Sequence, residues 1–394
     1  MVRGFAARRP GAPYRSAPVS ELSPGGPPPP PTDDPVVGGR LREVGGVLPG
    51  LLLALCLVEA ATLIASEWKG PFPAATLALL LGLLLANLVS LPASCRPGLD
   101  FCVKRVLRLG IVLVGIRLSL LEVARNGAVA IPAVAVSVTA GIVVAVLLAR
   151  RLGVSGRLGV LAAASTGICG VTATLAVAPV IDAEEREVAY TVGCVTLYGL
   201  LGMLLYPFAA HALFGDSPAA AGLFLGTSIH ETAQVAGAAL AYRDSFQAPD
   251  AFDAAMVAKL LRNATLVAVV PILGWVHARA AGETGRRPPL ARLFPLFVLG
   301  FLGMALLRTI GDEALGSRSW GWGPVHHHEW RVLTTTVEDV ATKVCLPAAM
   351  AALGLGIRFA SLRELGVRPL LLGAGAATAV AATALASAAV VARL

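Results

Sequence analysis

Gly226-Thr227-Ser228-Ile229-His230-Glu231-Thr232-Ala233-Gln234 stands at the centre of an apolar run covering 218–242, and its reading decides the fold. An ionisable side chain at the middle of a membrane helix costs about 2.5–3.5 kcal/mol on translocon scales, so its presence there marks function by default. Glycine and hydroxyl residues beside it favour a broken helix or a re-entrant hairpin, whose freed backbone faces protein or water. On an unbroken helix, Thr227, His230 and Gln234 would share one face. A second run, 154–181, carries Ser165-Thr166-Gly167-Ile168-Cys169-Gly170 at its middle, and there Ser165, Cys169 and Thr172 would share a face. The two runs align loosely, Thr166 with Thr227 and Ile168 with Ile229.

Further apolar runs lie at 46–66, 72–91, 103–121, 127–149, 187–213, 252–276, 289–309, 335–359 and 368–391. Most approach the ~20 residues that span a bilayer, which predicts an all-α polytopic membrane protein of about eleven hydrophobic helices. Composition agrees. Hydrophobic residues make up 56% and charged residues 14% of the chain, against roughly 45–50% and 25% in soluble proteins. The mean hydropathy is +0.75. A formal charge of +8 raises nucleic acid as a partner, but the basic residues cluster between apolar runs, as in cytoplasmic loops. No nucleic acid is expected; the lipid bilayer is the partner. The six cysteines form no C-x-x-C pair and predict neither a disulfide framework nor a metal site.

Residues 1–45, with the proline run Pro27–Pro31, predict a disordered cytoplasmic tail, and 46–394 the transmembrane domain. Arg40, Arg42, Lys104, Arg105, Arg108, Arg150, Arg151, Arg157, Arg279, Arg286, Arg287, Arg292, Arg358, Arg363 and Arg368 fall on one side of the threading. The N-terminus is therefore expected in the cytoplasm of a bacterium, with the chain multi-pass in its inner membrane and His326–His328 outside. Turning both unusual runs into hairpins leaves that orientation unchanged after the seventh. Leu113-Val114-Gly115-Ile116-Arg117-Leu118 in the third run resembles Leu353-Gly354-Leu355-Gly356-Ile357-Arg358-Phe359 in the tenth, seven spans apart and so pointing oppositely. Inverted repeats of this kind are a plan of secondary transporters.

Ser165, Thr166, Cys169, Gly170, Thr227, Ser228 and Arg262 are the candidate substrate-binding residues, and His230, Glu231 and Gln234 the candidates for a coupling ion. Half-helix N-termini meeting near the midplane would offer N–H groups to an anion, with Arg262 beside them. The competing reading of His230 and Glu231 is a buried pair that braces two helices. Lys259 is read either as snorkelling toward the outer interface or as facing a cavity. Arg117 and Arg358 are expected to be interfacial anchors, and Asp339–Lys343 an ion pair at the outer interface. H-E-x-x-H zinc chemistry is excluded because Gln234 stands where the second histidine would be. No Walker motif suggests a primary pump, and no cofactor is implied.

With these motifs the chain resembles the YeiH-type family of bacterial membrane proteins to which sulfate export is ascribed. The resemblance covers residues 45–394 and rests on S-T-G-I-C-G with Val180-Ile181-Asp182-Ala183-Glu184 and Val188-Ala189-Tyr190, on T-S-I-H-E-T-A-Q-V, on Lys259-Leu260-Leu261-Arg262, and on Met350-Ala351-Ala352-Leu353-Gly354-Leu355. It implies an ion-driven, inverted-repeat carrier and no enzyme. The leading expectation is export of a small anion, sulfate or a sulfonate, coupled to a proton or sodium. A sodium-coupled carrier of an organic acid or amino acid, an intramembrane enzyme using Cys169 or His230, and a channel are the alternatives. Self-association into a homo-oligomer stays open.

Overall fold

The computed structural model describes residues 35–67, 72–281, 294–316, 327–360 and 366–393. The chain divides into the units Met1–Arg42 and Glu43–Leu394, and the architecture that follows is that of the second. Residues 1–34 of the expected tail, with Arg286, Arg287, Arg292, His326 and Arg363, lie outside the described residues. Helix α1 (Pro35–Glu67) takes in residues 35–45, which composition assigned to the tail.

Every regular element among the described residues is helical. After α1 come α2 (Ala74–Leu88), α3 (Arg96–Phe101), α4 (Leu107–Val114), α5 (Leu120–Leu152), α6 (Gly156–Ala164), α7 (Val171–Val177) and α8 (Glu185–Phe214). They are followed by α9 (Pro218–Ser228), α10 (Thr232–Phe246), α11 (Pro249–Ala264), α12 (Leu266–Ala281), α13 (Leu296–Gly316), α14 (His327–Asp339), α15 (Leu346–Gly356) and α16 (Val367–Val391). Among the described residues, six helical stretches are long and apolar enough to cross a membrane: Gly46–Glu67, Leu120–Leu152, Glu185–Phe214, Pro249–Arg279, His328–Gly356 and Val367–Val391.

That is fewer than the eleven hydropathy suggests, for local reasons. The fifth and seventh runs are each split into two short helices, and α2 has only 15 residues. The helical stretch 96–117 that holds the third run carries Arg96, Asp100, Lys104, Arg105 and Arg108, and α13 carries Arg308, Asp312 and Glu313. The membrane-facing surface is legible in the packing. Leu121, Ile131, Val136 and Leu147 on α5, Leu201 and Leu205 on α8, and Val367 and Leu371 on α16 are exposed leucine, isoleucine or valine. Such a contiguous apolar exterior suits lipid. Helix α11 is the opposite: every residue from Ala251 to Leu260 is buried, which places it at the centre.

The split runs are hairpins. Ser155, which caps the start of α6, bonds Glu187 in the first turn of α8, and Arg157 pairs with Glu184 at 3.7 Å. The chain therefore enters α6 and leaves α7 at the same end of α8. At the other end of α8, His211 stacks on Phe246 with ring centroids 3.8 Å apart, so the chain enters α9 and leaves α10 there. Thirty residues of α8, about 45 Å of helix, separate the two mouths. The hairpins enter from opposite ends.

Gly222 and Gly226 on α9 abut the carbonyls of Ala251 and Ala255 on α11, so closely that a Cβ at either would overlap them. Small residues at this spacing let membrane helices approach backbone to backbone. The third and tenth runs are antiparallel neighbours, because Arg117 at the end of one bonds Glu338 near the start of the other. Each carries a π turn, Cys102–Val106 and Val340–Cys345, roughly two to three turns before its Gly-Ile-Arg end.

Candidate functional site

The two tips meet. In the first hairpin α6 runs into a π turn over Ser165–Cys169 and stops at Gly170, whose φ of 65° and ψ of −122° belong to glycine. A Cβ there would also stand 3.0 Å from Glu231 Oε2. In the second hairpin α9 ends at Ser228, and Ile229 and Glu231 are extended. Each break leaves the carbonyls of a last helical turn without intrahelical partners.

Lys259 and Arg262, one turn apart on α11, supply those partners. The Lys259 ammonium donates to Ile229 O at 3.1 Å, to Ile168 O at 3.5 Å and to His230 O. Arg262 donates from Nε to Gly167 O at 2.9 Å and from Nη1 to Thr227 O at 2.7 Å and Ile229 O at 3.2 Å. Its Nη2 donates to Thr166 O. The loose sequence alignment thus has a physical content: Thr166 and Thr227 share Arg262, and Ile168 and Ile229 share Lys259. Cations at helix C-termini are favourable because the carbonyl ends carry partial negative charge. Charge-assisted hydrogen bonds of about 1.5–3 kcal/mol each offset the desolvation of two fully buried cations. Ser137 on α5 adds a hydrogen bond to Thr227 O at 3.3 Å.

The anionic partner is Glu231. Its Oε2 accepts from the Val171 N–H at 3.3 Å, so the start of α7 is met by the protein's own carboxylate. Asn263 Nδ2 donates to Thr232 Oγ1 at 3.1 Å and ties α11 to the start of α10. His230 is 2% exposed, and neither ring nitrogen has a hydrogen-bond partner among the described residues, Cys169 included.

Several sequence expectations change in this geometry. Arg262, expected to hold an anion, binds tip carbonyls with four of its five N–H groups. Lys259 is 0% exposed, far from the snorkelling arrangement. Thr227, His230 and Gln234 share no helix face, because the helix stops between them; Gln234 turns to α8 and donates to Thr196 O at 3.1 Å. Ser165 and Cys169 are buried while Thr172, beyond the break, is exposed. The hydroxyls of Ser165, Thr166, Thr227 and Ser228 donate backward to Ala162, Ala162, Leu223 and Phe224, at 2.6–3.0 Å, and so have no proton left for a ligand.

A second cluster lies near the start of α11. Arg117, expected as an interfacial anchor, is largely buried: it holds Asp253 through Nε at 2.9 Å and Nη2 at 3.3 Å, and bonds Glu338 as well. Arg117 and Arg243 flank the Phe252 ring at 5.7 and 5.6 Å. With Lys343, which pairs with Asp339 at 2.8 Å as expected, Arg117 and Arg243 line a cavity of about 300 Å³. A cavity of about 320 Å³ at the opposite end of the third run is lined by Arg96, Asp100 and Arg358. Sequence reasoning passed over Asp253, a carboxylate one and a half turns before Lys259 in an apolar run, which was the available signal. His327, expected in a loop, opens α14.

The family model described as conserved hypothetical protein 698 matches residues 49–373. The chain belongs to that family. It is 34% identical over 344 residues to a UPF0324 membrane protein of Corynebacterium glutamicum, covering 86% of this chain and 91% of that one. It is 33% identical to a UPF0324 membrane protein of Bordetella pertussis, covering 84% and 90%. The UPF0324 membrane protein TauZ of Paracoccus denitrificans is 35% identical over 269 residues, 67% of this chain and 76% of that one. No solved structure matches the chain. Membership agrees with the resemblance drawn from the motifs, and the relatives' description with a multi-pass membrane protein.

Proposed function

We propose that this protein is a secondary carrier that exports a small anion, sulfate or a sulfonate, across the bacterial inner membrane by alternating access. The observation that carries the reading is the pair of hairpins entering from opposite ends of α8 and meeting tip to tip around buried charges. Discontinuous helices meeting inside an apolar fold recur at carrier binding sites. Lys259 and Arg262 outnumber Glu231 at the tips, and a surplus positive charge favours an anion. Among the described residues, His230, with two unpartnered nitrogens, is a donor left open at the tips, beside the one N–H of Arg262 that binds no carbonyl. Cys169 and Gly170 line the same junction. His230 and Glu231, with Gln234 behind them, couple the movement of an ion to that of the anion.

The topology proposed is an inverted repeat, with the N-terminus and its tail cytoplasmic and the eleven apolar runs reduced to nine crossings and two hairpins. The matched π turns and Gly-Ile-Arg ends of the third and tenth runs support it. Membership in a family of membrane proteins suits a transporter better than an enzyme.

The purified protein should melt at a higher temperature with sulfate or a sulfonate present, since a ligand of the native state raises apparent stability. In proteoliposomes His230→Gln and Glu231→Gln should fold and bind the anion yet lose pH-dependent net flux. Unchanged flux in both folded variants would reduce the pair to a brace. Stabilisation only by an organic acid together with sodium would replace the anion reading.

A further inference from the structure

The tips form a cage of carbonyl oxygens of the sort that holds a bare monovalent cation, and the protein fills it from within. Ile168 O and Ile229 O come from aligned positions of the two hairpins, His230 O lies next to them, and all three accept from Lys259 Nζ. Unwound carbonyls and half-helix C-terminal ends are what alkali cations use at carrier midplanes. An ammonium on four methylene groups offers the same charge in a compact, strongly hydrated head, and unlike sodium it can lose a proton. Four charged or titratable groups surround it: Cys169 from the first tip, His230 and Glu231 from the second, and Arg262 from its own helix. Toward α5 the polar neighbour at the tips is Ser137, toward α10 it is Thr232, held by Asn263, and toward α12 Thr265.

We propose that Lys259 is the coupling cation of this carrier: its ammonium takes the place of an alkali cation between the two tips, so that transport runs on a proton gained and lost at Nζ and needs no sodium. This deepens the anion-carrier reading and rests on it: Nζ holds the coupling proton, and His230 and Glu231 beside it relay that proton. With the proton on Nζ the ammonium ties both hairpins to α11. When the proton passes to water on the open face, the neutral amine keeps two N–H groups but no charge, and the ties to the tips weaken. Arg262 stays charged throughout, so the tips remain anchored at Thr166, Gly167 and Thr227 while the Lys259 contacts change.

The experiment compares melting temperatures of the purified full chain in sodium, potassium, methylammonium or choline chloride at equal ionic strength. The wild type should melt alike in all four. Lys259→Ala should melt lower in choline and regain part of the loss in sodium, potassium or methylammonium, small cations that enter the vacated cage. Sodium raising the wild-type melting temperature above that in choline overturns the proposal, as does a Lys259→Ala variant that none of the small cations restores. Lys259→Arg keeps a cation in the cage but holds its proton; it should melt like the wild type and lose sulfate flux driven by a pH gradient in proteoliposomes. Retained pH-driven flux in Lys259→Arg overturns the proposal even if Lys259→Ala yields no folded protein. A wild type that no anion stabilises tells against the carrier reading alone, because the salt comparison is made without one.

Discussion

The two hairpins present equivalent carbonyls at their tips but sit in the protein differently. In the second, every residue from Ala220 to His230 and from Ala233 to Tyr242 is buried, enclosed by α8, α11 and α16. In the first, the outgoing arm exposes Thr172, Leu175 and Pro179, with Leu175 at 58%. Enclosure follows from side-chain size. Gly222, Gly226, Ala236, Gly237 and Ala238 let neighbours close over the second hairpin, whereas Leu175 on the first faces outward. The second hairpin therefore belongs to the close-packed centre, where a volume change is felt at once. The first is joined to that centre chiefly through its tip and one side. If one hairpin moves during transport, the first has fewer contacts to break, and the shared cations on α11 are where its motion would register.

Four substitutions sharpen or break that contrast, the largest effect first. Arg262→Ala removes the partner common to both tips, leaves the carbonyls of Thr166 and Gly167 unpaired in a buried site, and takes from Thr227 O and Ile229 O one of their two donors. Breaking a buried charged contact from one side costs about 3–5 kcal/mol. Little folded protein should be recovered from membranes, and a variant melting like the wild type would show that the tips do not depend on α11.

Gly226→Val drives a side chain into the Ala255 carbonyl, with no flexible neighbour to yield. Overpacking of this kind costs about 1–3 kcal/mol, read as a lower melting temperature in detergent. Gly170→Ala forces a Cβ onto a residue at positive φ and against Glu231 Oε2. The expected cost is about 1–2 kcal/mol. Combining it with Glu231→Gln in a double-mutant cycle should give a non-additive loss, because the two residues touch. Strict additivity would mean that the strain lies in the backbone alone. Leu175→Ala, on the exposed arm, should stay within about 0.5 kcal/mol of the wild type. A loss as large as that of Gly226→Val would mean that the first hairpin is as enclosed as the second.

Much of the site was legible before any coordinates. The glycines and hydroxyls at 165–170 and 226–228 mark where both helices stop, and His230 and Glu231 stand out because charge is scarce in their surroundings. The roles were less legible. The i, i+3, i+7 pattern of Thr227, His230 and Gln234 assumes a continuous helix, and the same sequence that suggested the pattern contains the break that cancels it. The hydroxyls read as ligands because composition cannot tell a serine that faces a cavity from one that bonds its own preceding turn. Lys259 and Arg262 were noticed as basic residues in an apolar run, but their partners are backbone carbonyls, and every residue type carries one of those.

The sequence by itself determined that the chain lives in a bilayer, where its helices interrupt, and which family it joins, because hydrophobicity, charge and glycine act locally and leave a mark at each position. Only the tertiary structure decided that the interruptions are hairpins. Two hairpins reverse the threading twice, so the basic loops beyond them are placed as two broken spans would place them, and charge is blind to the difference. The contacts of Ser155 with Glu187 and of His211 with Phe246 join residues more than thirty positions apart, and it is these that return each arm to the end it came from. The same holds at the centre: the sharing of Lys259 and Arg262 between two tips depends on three segments meeting in space, and packing alone brings them together.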